Sequence, residues 1–217
     1  MALAIFDLDN TLLGGDSDHA WGEFLVEQGI VDAEVYKQTN DYYYQAYLGG
    51  TLDINEFLQF SLKPLSQHST EQLGQWHKQF MAEKIEPLML QKADDLLSEH
   101  RKNGDYLLII TATNTFVTSP IAERLGVDHI LATDPEFLDG RYTGRVSGIP
   151  CFQGGKVKRL HNWLTATNHN LAGSYFYSDS HNDLPLLEEV DHPVAVDPDD
   201  TLRETAKVKG WPIISLR

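Results

Sequence analysis

Leu3-Ala4-Ile5-Phe6-Asp7-Leu8-Asp9-Asn10-Thr11 decides the fold: an apolar run that ends in two carboxylates. Four apolar residues in a row read as a strand buried on both faces, the kind found in parallel sheets. Side chains two apart on a strand point the same way. Asp7 and Asp9 are therefore expected to face one crevice at the strand's carboxyl end, where open α/β sheets bind ligands. Two anions held side by side raise the cost of ionising each other, and a divalent cation is the simplest remedy. In that setting Asp7 suits a nucleophile and Asp9 an acid and base, acting on a substrate whose negative charge the metal also offsets. The stretch is not an EF-hand loop: Leu12 stands where such a loop needs glycine and Asp18 where it needs glutamate. A plain solvated turn is the other reading open at this point.

Working outward, apolar or β-branched runs at 3–6, 107–110, 130–132, 174–177, 193–196 and 212–215 alternate with helical spacing at 87–100, 116–125, 156–166, 184–190 and 202–208. Strands alternating with helices predict an α/β fold, a Rossmann-like parallel sheet with helices on both faces. The interval 14–86 has no convincing strand and carries helical spacing at 21–28, 35–47 and 54–60. It reads as a small helical cap inserted after the first strand, on a core formed by 1–13 and 87–217. Its ends lie near Asp7, so it could close over the site as a lid. Asp139-Gly140, between Phe137 and Tyr142, is a hairpin signal.

The chain has 217 residues, 41% of them hydrophobic, which is enough for a full core. No apolar run approaches a membrane span, and the start lacks the basic and long apolar segments of a signal peptide. The single Cys151 excludes an internal disulfide framework and fits the cytoplasm. A net charge of -15 argues against nucleic acid and against anionic membrane surfaces as partners. It would also repel a phosphorylated substrate, so any phosphate site must be locally positive.

Three later strand ends supply the rest. Thr111-Ala112-Thr113-Asn114 places a hydroxyl and backbone N–H groups at a strand-to-helix junction, which suits an anion or simply caps the helix. Gln153-Gly154-Gly155-Lys156 puts a cation at a helix start, against the helix dipole, where it can serve a phosphoryl group. Ser178-Asp179-Ser180-His181-Asn182-Asp183 adds two carboxylates of the kind that hold Mg²⁺. Asp183 also reads as a helix N-cap before Leu184-Pro185, and His181 as a loop residue without a role.

With these four motifs in this order, the chain resembles the haloacid-dehalogenase-like superfamily, on its phosphoserine-phosphatase-like branch. The resemblance implies that Asp7 attacks phosphorus to form an aspartyl-phosphate, and that Asp9 protonates the leaving alkoxide and then activates water. It implies that Thr111, Ala112 and Lys156 bind the phosphoryl oxygens, and that Mg²⁺ lies between Asp7, Asp179 and the backbone carbonyl of Asp9. Asn182 would also lie at the phosphoryl group and, with Asp183, support metal and lysine. That branch holds a substrate carboxylate with a cap arginine, whereas residues 1–100 here contain none. The cap is instead acidic and aromatic, with Asp16, Asp18, Trp21, Glu23 and Tyr43 as candidate substrate contacts; Asp16 matches the carboxylate that holds a substrate amine. Such a lining favours a cationic, partly flat ester. The whole sequence, including 16–23, 111–114 and 120–126, resembles bacterial histidinol-phosphate phosphatases of this fold.

The expectation is an Mg²⁺-dependent phosphomonoesterase for a small-molecule ester, L-histidinol phosphate, in amino-acid biosynthesis. The alternatives are a phosphoserine phosphatase, a related amino-alcohol phosphotransferase, or a silent module that binds cationic ligands. The tyrosines at 42–47 also read as the cap's own core, and its acids as a solvated face.

Overall fold

A computed structural model describes residues 2–217. The chain runs β1 (Leu3–Phe6), α1 (Ser17–Glu27), α2 (Ala33–Leu48), α3 (Ile54–Ser61), α4 (Lys63–Gln67), α5 (Thr70–Phe80), α6 (Gln91–Lys102), β2 (Tyr106–Asn114), α7 (Thr115–Leu125), β3 (His129–Leu138), β4 (Arg141–Ser147), α8 (Gly154–Thr167), β5 (Tyr175–Ser178), α9 (Leu184–Leu187), β6 (His192–Val196), α10 (Asp200–Lys209) and β7 (Ile213–Ile214). The sheet order is β4-β3-β2-β1-β5-β6-β7. Only β4 runs antiparallel to its neighbour, β3. The expected α/β architecture is the one observed.

Strand alternation divides the core. Ala4, Phe6, Leu107, Ile109, Tyr177, Val194 and Val196 face one side, under Ala93 and Leu97 of α6 and Val117, Ile121 and Leu125 of α7. Leu3, Ile5, Leu108, Ile110, Phe176 and Ala195 face the other, under Leu160 of α8, Leu186 and Leu187 of α9, and Leu202 and Ala206 of α10. Phe6 is fully enclosed and stacks on Tyr177 with ring centroids 5.0 Å apart. Truncating such a ring costs about 3–5 kcal/mol.

All regular elements between β1 and β2 are helical. Trp21, Phe24 and Leu25 of α1 and Phe80 of α5 share one apolar cluster with Phe6 and Val117, so the two ends of this segment are seated on the sheet's own core. Leu58, Leu62, Leu65 and Leu73 form a separate small cluster on which Tyr142 and Val146 of β4 pack. The β3–β4 turn has Asp139 at φ 49° and Gly140 at φ 78°, the two successive left-handed residues of a tight hairpin.

Several expected bounds shift. The helix expected at 87–100 begins at Gln91, because Met81–Ile85 forms a π-helical turn and Glu86–Leu88 a 3₁₀ turn in which Pro87 lacks only an N–H that has no partner there. Helices α4 and α5 lay outside the expected spacing. The start of α5 is nonetheless written in Ser69 and Gln72, whose side chain and backbone groups close a reciprocal capping box. Among the described residues no helix is long and apolar enough to cross a membrane.

Candidate active site

The loop bearing Asp7 and Asp9 continues β1, since the Asp7 N–H donates to the Tyr177 carbonyl at 2.9 Å. Leu8 between the two carboxylates is fully buried, and its carbonyl accepts from the N–H groups of Leu12 and Leu13 at 2.9 and 3.0 Å. Asn10 takes φ 56°, which turns the chain back on itself. Asp7 and Asp9 are thereby held on one side of a tight loop at the centre of the sheet.

Asp9 is pinned at both oxygens. Oδ1 accepts from the Ser17 N–H at 2.7 Å, at the start of α1, and Oδ2 accepts from Thr113 Oγ1 at 2.8 Å and Thr111 Oγ1 at 3.3 Å. Asp7 is pinned at one oxygen only. Lys156 Nζ donates to Asp7 Oδ1 at 2.7 Å and to Asp183 Oδ2 at 2.9 Å, while Asp7 Oδ2 is buried with no hydrogen-bond partner among the described residues. Ser178 Oγ donates to the same Asp183 oxygen at 2.7 Å. Asp179 Oδ1 accepts from Thr11 Oγ1 at 3.0 Å, and Thr11 Oγ1 accepts in turn from the Asp179 N–H.

Lys156 reaches inward because Gly155 lets α8 start against the Pro150 carbonyl, where a Cβ would come within 2.1 Å of the oxygen. Lys156 is 2% exposed, so its charge is placed with little solvent screening. Burial alone would push its pKa down; the charges of Asp183 and Asp7 outweigh that and hold the ammonium protonated. Burial pushes the Asp7 carboxyl up to about 7, against the pull of Lys156 and with the push of Asp183 and Asp9. Burial and the Asp7 and Asp183 charges likewise hold Asp179 well above the usual carboxylate range. The centre thus carries more negative charge than Lys156 neutralises.

Asp7, Asp9, Thr111 and Ala112 border a cavity of about 40 Å³, whose other walls include Asp16, Asp18, Tyr43, Tyr44 and Tyr47. Asp16 is also the N-cap of α1, accepting from the His19 N–H at 2.8 Å. Burial, then the Asp9 charge, raise Asp16 well above its ordinary value and Asp18 to about 7. No Lys or Arg lines this cavity.

Two cap residues expected at the substrate are elsewhere. Trp21 is 2% exposed and sits among Phe24, His77, Phe80 and Phe116, with ring centroids 5.1 to 6.0 Å away, because its large apolar surface is drawn into the core. Glu23 is on the exposed side of α1, 3.8 Å from His19 Nε2 and outside the cavity lining. Asn182 is brought to the site's edge with its amide hydrogens engaged by the Tyr47 carbonyl and Ser180 Oγ, both at 3.2 Å. Sequence reasoning passed over Thr113, although it lies two residues from Thr111 and so on the same strand face. It also passed over Thr11 as a partner of Asp179, and His19 and Asn40 in the cavity wall.

The haloacid dehalogenase-like hydrolase family model matches residues 4–188. A histidinol-phosphatase of Neisseria meningitidis serogroup C is 45% identical over 219 aligned residues, covering 99% of both chains. Phosphoserine phosphatase SerB1 of Mycobacterium tuberculosis is 31% identical, covering all of this chain and 71% of its own. A crystal structure of a Bordetella pertussis Tohama I protein with unknown function superposes with TM-score 0.94 at 45% identity, over 100% of this chain and 99% of that one. A substrate-bound phosphoserine phosphatase has TM-score 0.73 at 18% identity, over 100% of this chain and 93% of its own, and so shares the fold. With that match and these relatives, the chain belongs to the haloacid dehalogenase-like hydrolases and is a phosphatase of that family.

Proposed function

We propose that the protein is an Mg²⁺-dependent phosphomonoesterase that hydrolyses L-histidinol phosphate through a phosphoaspartate on Asp7. The observation that carries this reading is the asymmetry of Asp7: one oxygen is fixed by Lys156, and the other is buried and unpaired among the described residues. A carboxylate oriented in this way can present Oδ2 to phosphorus. As the Oδ2–P bond forms, the ester P–O bond breaks and Asp9 gives a proton to the departing alkoxide. Asp9 then takes a proton from water, whose oxygen bonds to phosphorus as the Oδ2–P bond breaks and phosphate leaves. Lys156 and the hydroxyl of Thr111 offset charge on the phosphoryl oxygens.

The residues fit Mg²⁺. Among the described residues no three His, Cys, Asp or Glu side chains converge as a metal cluster, but Mg²⁺ takes one or two carboxylates and keeps several waters. Asp7, Asp179 and the Asp9 carbonyl would hold it, relieving the excess negative charge. When bound it supplies charge neutralisation to the phosphoryl group.

Substrate choice follows from the cavity wall. Asp16 and Asp18 can pair with an ammonium, and Tyr43, Tyr44 and Tyr47 offer faces to a flat cationic ring. Residues 14–86 act as the lid over this site, and an unpaired buried Cys151 suits a cytoplasmic enzyme. A substrate carboxylate would find no Lys or Arg in this wall and would be desolvated there without such a partner. Steady-state kinetics with histidinol phosphate and O-phosphoserine test this: kcat/KM is expected to favour the former by about 100-fold or more. Equal values, or a preference for phosphoserine, would remove histidinol phosphate as the substrate.

A further inference from the structure

The cavity over Asp7, about 40 Å³, is walled by Tyr43, Tyr44 and Tyr47 of α2 and by Ile54 and Phe57 of α3. The placement of α2 and α3 therefore shapes the cavity. What holds them closed is visible at the C-terminal end of α2. Asn182 Nδ2 donates to the Tyr47 carbonyl at 3.2 Å, and the Tyr47 ring rests near Phe152 with centroids 6.2 Å apart. The His181 ring lies against Gly50, where a Cβ would stand 2.6 Å from Nε2.

Both gripping residues are themselves fixed. The His181 backbone N–H and ring Nδ1 both meet Asp199 Oδ2, at 2.7 and 2.8 Å; a carboxylate only accepts, so Nδ1 carries the proton and the ring cannot swing aside freely. Asn182 Oδ1 accepts from Gln153 Nε2 at 2.9 Å. Gln153 adopts φ 46°, a strained conformation for a residue with a side chain, of the sort that surrounding structure must enforce.

We propose that His181 and Asn182 form a clasp that sets the closed position of α2, with Gly50 as the seat into which His181 fits. They are positioning residues. They act through α2, placing Tyr43 and Tyr47 over the phosphoryl site, and they belong to the same loop as Asp179 and Asp183, so lid and carboxylates share one support. The clasp rests on the reading of 14–86 as a lid over a phosphatase site.

Gly50→Ala drives a methyl into His181, while Gly50→Ala combined with His181→Ala vacates the space for it. The single variant is expected to raise KM for a phosphate ester about tenfold, with kcat within about twofold, because a smaller fraction of molecules is closed. It should also speed deuterium exchange of the amides at 44–48, and because both substitutions break one contact, the double variant should show no more than the effect of His181→Ala alone in both readouts. Gly50 has φ 67°, so alanine is strained there in either variant. Effects of the two single substitutions that simply add in the double variant would assign the Gly50→Ala effect to that strain and overturn the clasp, as would an unchanged KM in Gly50→Ala. His181→Ala alone leaves the seat unfilled and should speed the same exchange; unchanged exchange overturns the proposal whether or not Gly50→Ala folds. A parent enzyme that hydrolyses no phosphate ester defeats the proposed function alone, since the exchange measurement needs no substrate.

Discussion

Lys156 Nζ lies 2.7 Å from Asp7 Oδ1, with each side chain 3% exposed, although 149 residues separate them. The contact joins the first strand to a helix that begins beyond the fourth, and Lys156 completes it with Asp183 on the far side. A buried cation between two buried carboxylates is costly to form and costlier to break, because removing one partner strands the others' charge.

Lys156→Met leaves Asp7 and Asp183 facing each other without a cation. The variant is expected to lose about 3–5 kcal/mol of stability. Urea unfolding measures it, and adding Asp183→Asn should recover part of the loss by removing one stranded charge. A loss below about 1 kcal/mol, the size expected of an exposed pair, would mean that the triad is not energetically coupled.

Asp18 gives a pH dependence of known sign. Its folded value of about 7 stands above its ordinary value of 3.8, raised by burial and then by Asp9. The folded state therefore holds a proton that the unfolded chain releases. This stability is complete below the unfolded value and is lost as pH rises through the folded one. Asp18→Asn removes the dependence, so calorimetry should show its Tm gaining on the parent's between pH 5 and pH 8. A gap that does not widen would show that the cavity leaves Asp18 solvated.

Asp179 gives the metal prediction. Its burial beside Asp7 and Asp183 leaves a carboxylate that a cation would relieve. EDTA is expected to abolish hydrolysis of p-nitrophenyl phosphate and excess Mg²⁺ to restore it. Asp179→Asn should raise the Mg²⁺ concentration needed for half activity by at least about tenfold. Full activity in EDTA would remove the metal from the reaction.

Much of the candidate site's convergence was legible because its signals are local. Asp7 and Asp9 sit at the end of an unbroken apolar run, and Thr111, Lys156, Asp179 and Asp183 each follow or open a regular element, so strand and helix periodicity places them on one rim. The cap was less legible because its residues serve two demands at once. Trp21 and Tyr43 look alike as aromatics on amphipathic helices, yet Trp21 is absorbed by Phe24, Phe80 and Phe116 while Tyr43 faces the cavity. Only helix packing separates them. His181 carried no sequence signal, since its role depends on Gly50, which lies far from it in the chain.

By itself the sequence determined the order of strands and helices and the acids, hydroxyls and lysine at their ends, because backbone periodicity and short-range charge act within a few residues. The tertiary structure alone decided which Asp7 oxygen is paired, which cap aromatics are core and which are wall, and what holds α2 shut. Those depend on distances between segments remote in the chain, and no local pattern encodes a 2.7 Å contact across half the sheet.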